Sequence, residues 1–256
     1  MNDLIILGGG SSVIEGIDNN LFEKIQNKYV IGLNYSYRYI KTTINMFIDW
    51  KFYESEQQGL NKLPLVIGQK LREIKNPSKN IHLLTANNKY QRNLEKGVYK
   101  STLCGLFSLS FAIWLLDVGT IYLLGFDYGS GKDKSSFGVP YDKNKIITHW
   151  TQCREFKNIY TGKNEIIPHR GFGKVNWYEA KHTLENGKQI TRAEHEFNVY
   201  ANETKVKIYN VSLESKIPTF PKISYDEFFK KLNKKDFNQA ILRYNTLEKL
   251  KTLESK

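Results

Sequence analysis

The sequence predicts an α/β protein built on a mostly parallel, Rossmann-like sheet flanked by helices. Three observations predict it. Short, apolar runs recur through the first half of the chain, at 3–8 (DLIILG), 29–34 (YVIGLN), 43–50 (TINMFIDW), 63–68 (LPLVIG) and 81–87 (IHLLTAN). A strand that is apolar at every position is covered on both faces, the environment of a parallel sheet with helices between its strands. The 16 Tyr, 14 Phe and 4 Trp among 256 residues exclude a disordered chain. That length suits one large domain with a small appendage.

The first run ends in glycine, as a short buried strand does before a turn. Residues 11–27 read as a helix with Ser11 or Ser12 at its N-cap and Glu15 in its first turn. Residues 103–125 (LCGLFSLSFAIWLLDVGTIYLLG) carry one charge, Asp117, and are long enough to span a membrane. The Gly119 break and the β-rich IYLL run divide them instead into a buried helix, about 105–116, and a buried strand. Residues 129–149 read as a polar, glycine-bearing lid or binding loop. Beyond it, WTQCREFKNIY (150–160) suits a helix, and RAEHEFNVYANET ends in one. VKIYNVS (206–212) reads as a last strand. The prolines after it mark an irregular segment before a helix, and 234–256 is a charged helical tail. The chain divides into a domain over 1–223, with a lid and insertion at about 129–205, and a helical segment over 224–256.

Charge and cysteines narrow the function. Lys and Arg number 38 against 26 Asp and Glu, a net +12. That suits an anionic partner, but Lys and Asn enrichment is equally the mark of an AT-rich composition, and no basic run is dense enough to choose. Cys104 and Cys153 form no CxxC pair and have no histidine at ligand spacing. A structural zinc site is therefore not expected, and the chain reads as a reduced, cytoplasmic protein. Asp3 and a four-residue apolar run do not make a signal peptide.

In open parallel sheets, ligands bind beyond the carboxyl ends of the strands, where strand order reverses. The candidates are therefore Gly8, Gly9, Gly10, Ser11 and Ser12, then Asn34 and Tyr35, Asp49 and Trp50, Asn87 and Asn88, and Asp127 and Tyr128. The glycine turn departs from a dinucleotide fingerprint, because Val13 replaces the third glycine and the second strand ends in Asn34. It also lacks the Lys-Ser/Thr ending of a nucleotide phosphate loop. Two readings stay open: a turn offering N–H groups to an anion at a helix N-terminus, or a plain strand-to-helix turn. A metal-dependent phosphate-ester hydrolase is disfavoured, since Asp49 and Asp127 are too few carboxylates to build a cluster.

Five stretches, ILGGGSS (6–12), VIGLNYSYRY (30–39), STLCGLFSLSFAIWLLDVGTIYLLGFDYG (101–129), SSF (135–137) and VKIYNVSLES (206–215), resemble glycosyltransferase family 42, the bacterial sialyltransferases. They also resemble the related motility-accessory-factor-type proteins. The likeness is good over about 4–128 and loose beyond, with IYLLGFDYG its most specific part. It implies a GT-A-variant-like fold, a CMP-activated sugar as co-substrate, and neither metal nor cofactor. By the resemblance, Gly9 to Ser12 lie against the phosphate and Asn34 faces the nucleotide. Ser101, Thr102 and Gly105 approach the sugar phosphate. Asp127 and Tyr128 end the strand at the donor, with Tyr128 hydrogen-bonded to the leaving phosphate. The family's second phosphate-binding tyrosine falls near Phe137, so Tyr141 takes that place. Asp49 stands where the sialyltransferases carry Asn.

A general base must take the acceptor's proton, and histidine suits the task. Order along the chain favours His169, beside Arg170 as an acceptor or phosphate contact, then His149. His82 reads as a strand residue, and His182 and His195 as residues of Glu- and Lys-rich helices. The segment 150–205 has no counterpart in the family and reads as an insertion that rebuilds the acceptor site. The acceptor is a glycan or a hydroxymethylated nucleic-acid base. The alternative is a non-catalytic module that sequesters a nucleotide. Homo-oligomerisation, a peripheral membrane location through the tail, and a viral origin in a host cytoplasm stay open.

Overall fold

The computed structural model describes residues 2–70, 77–87, 98–99, 103–127, 150–167 and 181–254. The chain forms a parallel sheet between two layers of helices. In chain order the elements are β1 (Asp3–Leu7), α1 (Ser12–Asp18), α2 (Leu21–Ile25), β2 (Tyr29–Leu33), a 3-10 turn (Asn34–Arg38), β3 (Ile44–Phe47), α3 (Trp50–Leu60), β4 (Val66–Lys70), β5 (Ile81–Asn87), β6 (Val98–Tyr99), α4 (Cys104–Leu115), β7 (Thr120–Leu124), β8 (Phe156–Lys157), β9 (Asn164–Glu165), β10 (Lys181–Thr183), β11 (Gln189–Thr191), α5 (Arg192–Glu203), β12 (Lys207–Asn210), α6 (Tyr225–Lys231) and α7 (Gln239–Glu254). Seven strands and the two-residue β6 align in the order β12-β7-β1-β2-β3-β4-β5-β6, every neighbouring pair parallel. Two small antiparallel hairpins, β8–β9 and β10–β11, stand outside it.

Alternation along the strands divides the core. Leu4, Ile6, Ile31, Leu33, Ile44, Met46, Ile121 and Leu123 face α4, α5 and α7, packing on Leu106, Phe107, Phe111, Phe197, Leu242 and Leu250. Ile5, Leu7, Val30, Tyr122 and Leu124 face the other way, onto Val13, Leu21, Ile25, Trp150 and Phe228. Phe47 and Val66 continue that face onto Phe52, Tyr53 and Leu60 of α3. Helix α4 is apolar all round, and buries Leu106, Phe107, Leu109, Phe111, Ala112 and Leu115. Each such side chain contributes about 1.5–3 kcal/mol. The 103–125 stretch is thus the expected helix and strand, and no described helix is long and apolar enough to cross a membrane.

Three expectations need correction. The helix foreseen over 11–27 is two short ones, because Asn20 adopts a left-handed φ of 59° between them, a conformation asparagine tolerates. Residues 150–160 are not a helix. After a single 3-10 turn they enter the β8–β9 hairpin, whose turn Asn158 dictates by accepting from the amides of Tyr160 (2.8 Å) and Thr161 (3.3 Å). His182 lies in strand β10, not in a helix. The Asn186-Gly187 pair makes the β10–β11 turn, with Gly187 at φ 78°.

The β8–β9 hairpin is fastened to the 3-10 turn and α3 by a partly buried ionic knot. Arg38 donates to Glu56 at 2.6 and 2.9 Å and to Glu165 at 3.0 Å, while the Tyr37 hydroxyl donates to Glu56 at 2.8 Å. The C-terminal segment packs on its own chain. The buried ammonium of Lys28 donates to the Lys235 carbonyl at 2.8 Å, and Lys249 donates to the Leu115 carbonyl at 2.6 Å.

Candidate functional site at the carboxyl end of the sheet

From β1 the sheet grows outward through β2 to β6, then the chain returns to lay β7 on the other side of β1. The reversal lies between β1 and β7, and the crevice above it is where open α/β sheets bind ligands. The glycine turn closes β1 and Asp127 follows β7, so the topology brings these predicted residues together.

The contact is tight. The amide of Gly8 donates to Leu124 O (2.7 Å) and that of Gly10 to Gly125 O (2.8 Å). The amide of Ser12 donates to Asp127 Oδ2 at 2.9 Å, and its hydroxyl to Asp127 Oδ1 at 2.6 Å. Asp127 is thus the cap of α1. Ser11 occupies the N-cap position, but its side chain makes no capping bond. A Cβ on Gly10 would stand 2.3 Å from Asp127 Oδ2 and 2.7 Å from Gly125 O, so this position needs glycine. From the other side, Trp150 donates its amide to Gly9 O (2.8 Å) and its indole N–H to Gly8 O (3.1 Å). No described residue accepts from the amides of Gly9 and Ser11.

Burial raises the Asp127 pKa above the usual carboxylate range, against the pull of the Ser12 bonds and the Ser212 hydroxyl. Tyr225 of α6 closes over the same spot. Burial, then the charges of Asp127 and Glu15, push its phenol well above the ordinary value. Gly16 makes room for that ring, since a Cβ there would lie 2.3 Å from Tyr225 Cε1. Trp150 and Tyr225 are absent from the sequence-derived site. Each lies about a hundred residues or more from the turn, and no local pattern marks them.

Two strands away the rim is different. Asn34 follows β2 with a left-handed φ of 49°, and its side-chain oxygen is buried without a hydrogen-bond partner. Asn45, fully buried in β3, donates to the Asn34 carbonyl at 3.3 Å, and its own side-chain oxygen is likewise unpartnered. A polar residue inside TINMF was the signal for it. Asp49 caps α3 by accepting from the Lys51 amide at 2.8 Å.

The amino end of α4 stands above β3, where the Cys104 thiol donates to Met46 O at 3.5 Å. Burial, then the Asp49 charge, push that thiol up, so it is no nucleophile near neutral pH. Gly105 belongs to this first turn. Leu103 at the N-cap offers no side-chain acceptor, and no described side chain caps the amides of Cys104, Gly105 and Leu106. Four first-turn amides of a helix have no partner within it, and they carry its positive dipole end.

Of the remaining candidates, Ser101, Thr102, Tyr128, Tyr141, His149, His169 and Arg170 lie outside the described residues, as does Asn88. His82 lies within β5. Among the described residues no group of three or more His, Cys, Asp and Glu converges to hold a metal ion. The fold defines a parallel α/β protein, a class whose members bind ligands at the carboxyl end of the sheet. Comparison with known protein families, curated proteins and solved structures returned no match for this chain.

Proposed function

We propose that the chain is a metal-independent glycosyltransferase that binds a nucleotide-activated sugar across the carboxyl ends of β1 to β3. The observation that carries the reading is the amino end of α4, uncapped by any described side chain and set above β3 on the rim. An uncapped helix N-terminus is a ready acceptor of phosphate charge, and such charge develops as a nucleotide leaves. Two strand spacings, about 10 Å, separate β1 from β3, which leaves a nucleotide room to reach α4 from the crevice. The Asp49 carboxylate and the Asn34 amide suit ribose hydroxyls and base edges along that path.

In the reaction, an acceptor hydroxyl attacks the anomeric carbon as the bond from that carbon to the phosphate oxygen breaks. The electron pair leaves with the nucleotide, whose charge the α4 amides, Ser101, Thr102, Tyr128 and Tyr141 steady. The acceptor's proton passes to a histidine, His169 before His149, with Arg170 beside the former. The donor is CMP-sugar-like by the resemblance above, and the acceptor is a glycan or a hydroxymethylated base. A net +12 suits the polyanionic acceptor. For that acceptor, affinity falls steeply with salt.

A thermal-shift series with CMP, CMP-sugars and other nucleotide sugars, with and without EDTA, tests the reading. Ligand at a hundred times its Kd adds about 2.7 kcal/mol, a rise of roughly 5–10 °C for a chain of this size. A rise that survives EDTA, followed by loss of turnover in His169→Ala or His149→Ala, is expected. No shift with any of these compounds overturns it. Binding without turnover on any hydroxyl acceptor leaves the nucleotide-sequestering module.

A further inference from the structure

We propose that the β10–β11 hairpin is a proton-released flap on the rim of the sheet, held onto α5 by the stacked imidazoles of His182 and His195. The ring centroids are 3.8 Å apart and the planes meet at 21°, a face-to-face contact between a strand residue and a helix residue. Two positive charges stacked at this distance repel each other, so protonation of both imidazoles opposes the contact.

The location follows from chain direction. Helix α5 ends at Glu203, and β12 starts at Lys207, level with Thr120 at the start of β7. The first turn of α5 therefore lies at the carboxyl end of the sheet, the end that bears the candidate site. Phe197 confirms it by packing edge-on against Phe126 at 6.2 Å, one residue before Asp127. His195 lies two residues closer to the start of α5.

Among the described residues the hairpin is held by few contacts. It consists of three residue pairs, Lys181 with Thr191, His182 with Ile190 and Thr183 with Gln189, closed by Leu184 N to Lys188 O at 2.9 Å. An isolated two-stranded hairpin is marginal in water, so its docking rests on side chains. Ile190 is its buried apolar anchor, and the imidazole pair is the second contact.

Proton linkage gives the direction. Burial, then the field of His182, hold His195 below its ordinary value of 6.5. The released flap takes up the proton more readily than the docked one, so docking is strong above about pH 6.5 and weakens as pH falls below it. The other charged residues on the surrounding elements are Lys181, Glu185 and Lys188 in the hairpin, Arg192, Glu194, Glu196 and Glu203 on α5, and Glu214 and Lys216 in the segment after β12. None of them adds to the effect of burial and His182 on His195. Helix α4, which packs on α5, carries no charged side chain.

Hydrogen exchange on the full chain at pH 7.5 and 5.0, corrected for intrinsic rates, tests the flap. In the wild type, protection of 183–190 falls at least tenfold at pH 5.0, while β1 and β7 keep theirs. In His195→Phe, which preserves a stacked ring but removes the group whose burial opposes the proton, protection is the same at both pH values. Wild-type protection independent of pH overturns the proposal, and so does an equal loss in His195→Phe. A proton NMR titration of the wild-type imidazoles needs no variant. His195 titrating at or above 6.5, independently of His182, also overturns it. None of these readouts depends on the identity of a donor.

Discussion

Helices α1 and α4 both begin on the same rim, and their amino ends are in opposite states. At α1 the protein supplies its own anion. Asp127 takes the amide and hydroxyl of Ser12, Gly8 and Gly10 donate to the β7 end, and Trp150 ties down the carbonyls. At α4 no described side chain occupies the first turn, and the nearby Asp49 is bonded to the amino end of its own helix, α3. A glycine-rich turn at the end of the first strand invites a phosphate reading. The contrast shows that amides at a helix start meet an internal carboxylate in one place and, among the described residues, no capping side chain in the other. A second anion beside Asp127 would meet a like charge in a buried setting, which is why the proposed function seats the phosphate at α4.

The comparison can be broken or sharpened by experiment. The largest effect is expected from Gly10→Ala, whose Cβ would overlap the Asp127 carboxylate and the Gly125 carbonyl. Overpacking against backbone costs about 3 kcal/mol or more, read as a lower urea midpoint or failure to fold. A variant as stable as wild type would mean that the turn is looser than the contacts require.

Asp127→Ala comes next. It removes the cap of α1 and leaves the Ser12 amide and hydroxyl without an acceptor, at a cost of about 1–3 kcal/mol by denaturant unfolding. Asp127→Asn keeps one acceptor and removes the buried charge, so its stability at pH 7 stays within about 1 kcal/mol of wild type. The pH profile separates the two effects. Because burial raises the folded-state pKa of Asp127, the wild type gains stability relative to Asp127→Asn as pH falls from neutral through that raised value toward 3.8. The opposite slope would place the carboxylate in a charge-stabilising site.

Amide chemical shifts report ligand position without any substitution. With CMP or a CMP-sugar bound, the largest changes are expected at Cys104, Gly105 and Leu106. Changes centred on Gly9 and Ser11 would reverse the assignment of the two helix ends. The smallest expected effect is on nucleotide affinity in Asp127→Asn, unchanged within about twofold if the phosphate sits at α4, since the Asp127 carboxylate is bonded to Ser12 at the start of α1. A tenfold gain would return the phosphate to the glycine turn.

What the sequence determined by itself is local. Apolar runs marked β1 to β5 and β7, the Gly119 break separated α4 from β7, and the prolines after β12 set an irregular segment ahead of α6. The Asn186-Gly187 turn was equally legible, and its neighbour His182 was assigned to a helix only because Glu and Lys crowd that stretch. Strand ends pointed to one rim, because in a parallel sheet the carboxyl ends share one side. What only the tertiary structure decided is which groups on that rim are already satisfied. Asp127 is 115 positions from Ser12, and the Trp150 indole is 142 from Gly8. Both contacts exist because β7 returns to lie beside β1, and strand order is a property of the packed sheet, not of any window of residues. The pairing of His182 with His195 has the same origin: a hairpin and a helix meet only once both have docked on the rim.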